Sequence, residues 1–307
     1  ETTFKADEID FDAELRRYVA VGQCSVESGP SRLTAGKVTI QFLQNQTLDW
    51  ARCEGDVYME RRQPETNSQI QGWGKTLDYY EAKKMAILLG EARALVTTPR
   101  LNKPATVAGA RIEMDLTTQE SRVLGAAGVP ARVHLEPRPG ANQQPASPVD
   151  LTAGQIVMNG KTHIYEATRE PLLVRADSRL RAEKIVFEVE ESGAELKTAR
   201  AEEKVTFDGK QTDGSLIHAT SDRAVYTYSS SELVLIGNVH TTITKPGQER
   251  PNVFQGRELH LNTKTGNSRL LGGSGTIPRP PTTAPRPPSG GTRPPTGDTN
   301  PGGGGNG

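Results

Sequence analysis

The sequence offers few side chains whose type and spacing would support catalysis. The histidines are scattered, and none stands in His-x-x-x-His spacing or beside a Cys-x-x-Cys pair, the patterns typical of metal sites. The sequence also lacks a Gly-x-Ser-x-Gly turn and a phosphate-binding glycine loop. We therefore expect a protein that is not an enzyme, with no metal site and no cofactor.

Two acidic pairs imitate a catalytic carboxylate dyad. They are Glu190-Glu191 and Glu202-Glu203. Neighbouring residues of a β-strand point to opposite faces, so the two carboxylates of such a pair do not converge on one substrate atom. A solvated run of charges is the better interpretation.

The two cysteines, Cys24 and Cys53, invite a disulfide in an oxidising compartment. If successive strands stack Gly22 over Gly55, however, Cys24 lies in line with Val57 and Cys53 lies about 13 Å further along the strand. A disulfide needs Cα atoms within about 7 Å. We predict two reduced and largely buried cysteines.

Composition excludes several classes of partner. Lys plus Arg and Asp plus Glu both total 37, so no excess positive field attracts nucleic acid. The longest apolar runs, Met85–Leu89 and Leu233–Ile236, are far shorter than the roughly 20 residues of a membrane-spanning helix.

The chain begins at Glu1 with neither a methionine nor an apolar leader, so we expect that a signal peptide or anchor is not present in this chain.

The sequence contains an internal duplication, and the strands of the two copies would position any site. A shift of 147 residues places Ser31–Leu33 on Ser178–Leu180 and Tyr18 on Tyr165. Within each half, an apolar-x-Gly-x-apolar motif recurs about every 35 residues. The series runs Gly22, Gly55, Gly90, Gly125, Arg169, Glu203, Gly237 and Gly272, with glycine lost at two positions.

Apolar residues alternate with polar ones between these motifs, as in Ala35-x-x-Val38-x-Ile40-x-Phe42. A period of two is typical of half-buried strands, and Gly, Asn, Asp and Ser cluster in the intervening turns. The sequence therefore predicts an all-β fold of stacked antiparallel hairpins. For the recurrent glycines, we expect β-bulges.

Proline-rich segments mark the boundaries. We predict module 1 at residues 1–136, a Pro-rich linker at 137–148, module 2 at 149–273 and a Pro/Gly-rich tail at 274–307. The tail has too few apolar residues to offset its ordering entropy, so we expect it to be disordered.

The chain resembles the OstA-like family of lipopolysaccharide transport, the LptA, LptC and LptD N-terminal domain type. The resemblance is carried by Phe4–Phe11 leading to Ala20–Cys24, and by Leu233–Val239 followed by Gly256–Leu259. It covers roughly residues 4–273 and implies two tandem open β-jellyroll modules, each shaped like a folded taco. It also implies a periplasmic protein that binds lipopolysaccharide or a related glycolipid and associates head to tail with other OstA-like proteins through edge strands.

In this interpretation the inward apolar residues line a groove for acyl chains, because each buried methylene contributes about 0.8 kcal/mol. The candidates are Ile9, Phe11, Val38, Ile40, Phe42, Val57, Met59, Ile112, Met114, Ile156, Met158, Ile185, Phe187, Val205, Phe207, Leu233, Leu235, Val239, Leu259 and Leu261. Arg32, Lys37, Arg179 and Lys184 are candidates for contacts with lipid phosphates.

Two alternatives stay open at this point. The apolar residues also suit an ordinary closed sandwich core, and the charged ones suit solvated strand faces. A structural β-solenoid or adhesion-type spacer with no lipid ligand would show such a closed core. A groove for acyl chains requires the two sheets to stand apart.

Overall fold

The computed structural model describes residues 2–63, 67–99, 101–137, 147–190 and 196–277. These residues form antiparallel strands joined by turns, which confirms the predicted all-β class. Within these ranges no helix is long and apolar enough to cross a bilayer.

The strands follow one another as hairpins in both halves of the chain. Module 1 contains β1 (Thr2–Lys5), β2 (Glu8–Asp12), β3 (Arg17–Ser28), β4 (Ser31–Phe42), β5 (Leu48–Gln63), β6 (Ser68–Tyr80), β7 (Met85–Thr97), β8 (Leu101–Asp115), β9 (Glu120–Leu124) and β10 (Ala131–Pro137). Then come β11 (Val149–Ala153), β12 (Gln155–Asn159), β13 (Ile164–Thr168), β14 (Leu172–Arg175), β15 (Ser178–Arg181), β16 (Lys184–Val189), β17 (Leu196–Lys210), β18 (Leu216–Thr227), β19 (Glu232–Thr244), β20 (Asn252–Asn262), β21 (Ser268–Leu271) and β22 (Ser274–Thr276).

Each long strand breaks its pairing register near the middle, as at Val21/Cys24 in β3 and Leu89/Ala92 in β7. The break divides the strands between two arms. The first arm runs β2-β3-β4-β5-β6-β7-β8-β9-β12-β13-β16-β17-β18-β19-β20-β21. The second arm runs β1-β3-β4-β5-β6-β7-β8-β10-β11-β14-β15-β17-β18-β19-β20-β22.

The line along which the strands break, here called the fold line, explains the 35-residue period. Most residues of the predicted series adopt positive φ there: Gly22, Gly55, Gly90, Arg169, Glu203, Gly237 and Gly272. L-residues rarely adopt this conformation, and glycine does so at little cost. The pairing register also shifts at Gly22, Gly55, Gly90 and Gly237, which confirms the predicted bulges at these four glycines. Arg169 and Glu203 adopt positive φ although they are not glycines.

The interior lies between the arms, where apolar side chains form rows across the strands. The row of the first arm nearest the fold line contains Ile9, Ala20, Val38, Cys53, Leu77, Leu88, Ile112, Val123, Ile156, Ala167, Ile185, Ala201, Ala224, Leu235, Leu259 and Leu270. The two arms approach closely here, since a Cβ added at Gly72 of the second arm would lie 3.7 Å from Leu88 Cδ2 of the first.

The ladder continues through the junction of the two halves. In the first arm Val123 of β9 pairs with Ile156 of β12, and in the second arm Val133 of β10 pairs with Leu151 of β11. Residues 138–146, most of the predicted linker, lie outside the described residues. Both arms therefore pass from module 1 to module 2 by ordinary antiparallel pairing.

The predicted start of the tail lies inside the ladder. Ser274–Thr276 form β22, which pairs with Val253–Gln255 of β20. Strand β22 is in this respect equivalent to β10 in module 1. Each pairs with the second-arm part of the preceding long strand, and each follows the short strand, β21 or β9, that pairs with the first-arm part. Residues 278–307, the remainder of the predicted tail, lie outside the described residues.

Both cysteines are free and buried, as predicted. Cys24 pairs in register with Ala35, whereas Cys53 pairs with Val38, so the two lie on opposite sides of the fold line. Burial raises the pKa of Cys53 to about 12. The Cys53 thiol therefore stays protonated at neutral pH and packs as a small apolar side chain.

A pair of glycines with the same backbone angle tests the fold line. Gly90 and Gly128 both have φ of 75°, but a Cβ at Gly90 would lie 2.8 Å from Lys75 Cβ, whereas one at Gly128 would meet nothing within 4 Å. We expect Gly128→Ala to lower the free energy of unfolding by about 1 kcal/mol through backbone strain alone. Gly90→Ala should lower it by about 2–4 kcal/mol, because crowding adds to that strain. Urea denaturation measures both, and equal losses would contradict the role given to the fold line.

Candidate functional site

An apolar cavity of about 250 Å³ lies between the two arms of module 1. Val26, Leu33, Met59 and Ile70 line it from the second arm. The opposite wall, on the first arm, is formed by Leu77, Ala86 and Met114, with Leu116 just beyond the end of β8. The two arms therefore stand apart in this part of the chain and enclose a mainly apolar space.

The cavity exists because several inward positions of module 1 carry small side chains. Gly72 is opposite Met59 in register, and Ala86 is opposite Met114. A Cβ at Gly72 would lie 2.8 Å from Met59 Cγ, so a larger residue there would displace the methionine into the space. The half-buried Leu33, Met59 and Met114 lie along the opening.

The residues predicted to line a groove differ in exposure. Fully packed ones, at 4% exposure or less, are Val38, Val57, Ile112, Ile156, Ile185, Phe187, Val205, Phe207, Leu233, Leu235, Val239, Leu259 and Leu261. Half-buried ones are Ile40, Phe42, Met59, Met114 and Met158. Ile9 and Phe11 are 48% and 54% exposed. Of the whole set, only Met59 and Met114 belong to the cavity lining.

Several lining residues were not among the predicted ones. Leu33 could have been found by continuing the alternation of β4 upstream across the fold line, from Val38 through Ala35. Ala86 could have been found from the duplication, because the shift of 147 residues places it on the predicted Leu233; for Leu77, whose counterpart is Ala224, the sequence holds no comparable signal.

The inner face is also open at the β1/β2 end. All residues of β2 are exposed, and its Phe11 ring stacks on Tyr18 at a centroid distance of 4.4 Å. Tyr18 in turn meets Phe42 edge-on at 5.7 Å. These aromatic rings form an exposed apolar surface that continues the interior row Phe11, Tyr18, Ile40 of the first arm.

The basic residues considered for lipid phosphates are dispersed. Arg32 belongs to the cavity lining and lies 3.7 Å from a Glu27 carboxylate oxygen. Lys37 pairs with Glu54 at 3.8 Å and Lys184 with Glu166 at 2.9 Å, away from the cavity. Arg179 stands opposite Asp208 in register. Of these four residues, the structure brings Arg32 to the apolar space, together with Arg61, which was not among the predicted ones.

The junction of the modules carries a charged cluster on its outer surface. His134 Nδ1 of β10 lies 2.8 Å from Asp150 Oδ1 of β11, and Glu136 Oε1 lies 3.0 Å from Lys103 Nζ. Burial lowers the pKa of His134, but Asp150 and Glu136 outweigh this and leave it raised. The His134–Asp150 pair therefore favours the junction most strongly when the imidazole is protonated.

Within the described residues, no group of three or more histidine, cysteine or acidic side chains has a geometry that would hold a metal ion. Of the acidic pairs, Glu202 stands opposite Lys184 in register, and Glu203 occupies the fold line with positive φ. Glu191 lies outside the described residues.

Comparison with known proteins identifies a family. A family model described as LptA/(LptD N-terminal domain) LPS transport protein matches residues 3–120 and again residues 150–267. The two matches are offset by the interval found in the sequence repeat.

Among solved structures, the chain is similar to LptH from Pseudomonas aeruginosa, described as the LptA homologous periplasmic component of the lipopolysaccharide transport device. The identity is 21% and the TM-score 0.37, over 42% of this chain and 85% of that one. The comparison with curated proteins gives no match.

Proposed function

Because the chain belongs to the LptA/LptD N-terminal domain family of lipopolysaccharide transport proteins, we propose that it is a non-enzymatic periplasmic carrier that holds lipid A acyl chains between its two arms. The observation that supports this most is the apolar cavity between the arms of module 1. Its walls are mainly aliphatic and thioether side chains, so the ligand class it suits is a hydrocarbon chain.

The energetics suit acyl chains. Each methylene transferred from water into such a space contributes about 0.8 kcal/mol, so about ten methylenes contribute roughly 8 kcal/mol before the costs of association. The flexible side chains of Met59 and Met114 adapt their shape to a chain without a fixed geometry. A carrier of this kind binds and releases its cargo without making or breaking bonds.

The polar part of the lipid would stay outside the arms. Two arginines, Arg32 and Arg61, adjoin the cavity and are placed to meet a phosphate; Arg32 is the one of the four predicted basic residues that does so. A second, more polar cavity of about 590 Å³ lies at the tips of the β5–β6 and β7–β8 hairpins, with Arg62, Gln69, Asn102 and Lys103 in its lining. It would accommodate the hydrated saccharide.

Photocrosslinking tests lipid binding. A photoreactive amino acid at Met59 faces the cavity, whereas one at Tyr58 occupies the same strand on the opposite face. We expect lipopolysaccharide adducts at Met59 at least tenfold above those at Tyr58 and at the exposed Lys210, because acyl chains lie between the arms. Equal labelling at all three positions, or none at Met59, would exclude the groove.

We further propose that chains associate head to tail through their edge strands, with a second copy as the partner. The internal junction supplies the template, because β9 and β10 pair with β12 and β11, and β21 and β22 are the module 2 counterparts of β9 and β10. In the same register, Leu270 of one copy would meet Ile9 of the next, and Arg269 would meet Asp10. The exposed Glu8, Asp10 and Asp12 give the β2 edge a negative charge that complements Arg269.

Charge reversal tests this association. Asp10→Arg should raise the dimer dissociation constant about three- to tenfold, because it places like charges opposite each other, and Arg269→Asp should do the same. Mixing the two variants should restore the affinity, because both mixed interfaces then carry opposite charges: the two substituted positions face each other in one, and the unchanged Asp10 and Arg269 do so in the other. Sedimentation velocity over a concentration series measures this, with Glu14→Arg as control; a chain that stays monomeric at the highest concentration would refute the proposal.

A further inference from the structure

The two modules share a backbone plan but not an interior. At four equivalent register positions of the second arm, module 2 carries the larger side chain. The pairs are Val26 and Leu173, Met59 and Phe207, Gly72 and Ala219, and Val107 and Phe254. In the first arm, Phe187 and Leu233 replace Ile40 and Ala86, whereas the smaller Ala224 replaces Leu77.

Three residues that border the cavity of module 1 are more exposed than their counterparts in module 2. Leu33, Met59 and Met114 are only half-buried, because they border the cavity of module 1. Their module 2 counterparts, Leu180, Phe207 and Leu261, are 6%, 4% and 0% exposed. Phe187 stacks on its cross-strand neighbour Tyr165 of the same arm, at a centroid distance of 4.8 Å and 8° between ring planes. The same arms that stand apart in module 1 therefore enclose a filled core in module 2.

The junction between the modules is packed next to the fold line. Val123 and Ile156 of the first arm are fully buried, and Val133 and Leu151 of the second are at most 2% exposed. They are consecutive members of two facing rows, so the packed part of the interior continues through the strands that join the modules. In the next row outward of the first arm, Ser121 and Met158 are half-buried.

We propose that acyl-chain binding is confined to module 1, and that side-chain size at residues 59, 72 and 86 and at their counterparts 207, 219 and 233 determines which module takes the lipid. This rests on the proposed lipid-carrying function and adds a division of labour to it. Protein interiors are close-packed, so a chain can enter module 2 only by displacing Phe207 or Leu233 from the core. Module 2 acts as a filled spacer that extends both arms and presents the β21/β22 end.

Crosslinking at matched positions locates the lipid. A photoreactive amino acid is placed in the full chain at Met59 or Met114, and in separate variants at the counterparts Phe207 or Leu261, with purified lipopolysaccharide as the probe. We expect adducts at the two module 1 positions at least tenfold above those at the two module 2 positions. Circular dichroism and thermal unfolding verify that each variant is folded.

Exchanging residues between modules tests the cause. Ala86→Leu gives module 1 the residue of module 2 and should reduce adducts at Met59 at least tenfold without loss of the fold. Leu233→Ala with Phe207→Met makes the reverse exchange and should produce adducts at Leu261. If the Leu233→Ala chain unfolds, Phe207→Met alone is the milder exchange. It removes little volume, so the chain should stay folded, and the more flexible methionine should raise labelling at Leu261 above that of the unchanged chain.

The outcomes separate the two proposals. Adducts of equal yield in both modules would overturn confinement to module 1 and leave the lipid-carrying function standing. Adducts in neither module would overturn the lipid-carrying function itself. Full labelling at Met59 in the Ala86→Leu chain would overturn the assignment of capacity to side-chain size.

Discussion

The fold depends on one backbone constraint, the left-handed conformation that recurs where every second long strand crosses from one arm to the other. A regular pleated strand keeps one pairing register along its length. Positive φ at Gly22, Gly55 and Gly90 inserts unpaired residues at these positions and so interrupts the register. Because the break recurs about every 35 residues, the two arms stay aligned over many strands. The facing rows of apolar side chains, and any space between them, exist only because the arms are aligned.

Because the two modules share one backbone plan, the space between the arms depends on the size of the side chains that face each other there. Small residues such as Gly72 and Ala86 leave a cavity in module 1, and Phe187 and Leu233 fill the corresponding region of module 2. Duplication thus gave two copies of one backbone plan with different interiors. Continuous pairing at β9–β12 and β10–β11 keeps the copies in one ladder, which is compatible with the proposed division of labour between them.

The repeat, the strands and the recurrent bulges could be predicted from the sequence, because each appears as a short period in residue type. The period held even at Arg169 and Glu203, where positive φ is retained without glycine. The cavity could not be predicted from these periods, because it depends on which residues of the two arms face each other and how large they are. Alternation places Met59 and Phe207 on the same inward row, yet one borders a cavity and the other is packed. Pairing of β22 with β20 was missed because Ser274–Thr276 has no apolar pattern.

The central claim is that the arms of module 1 hold a hydrocarbon chain. A crystal structure of the full chain with bound lipopolysaccharide tests it most directly. The account predicts acyl-chain density between Leu33 and Met59 of the second arm and Met114 of the first, ending before Val123 and Val133. Density confined to the outer faces of the arms, or running unbroken through the core around Phe187 and Leu233, would contradict it.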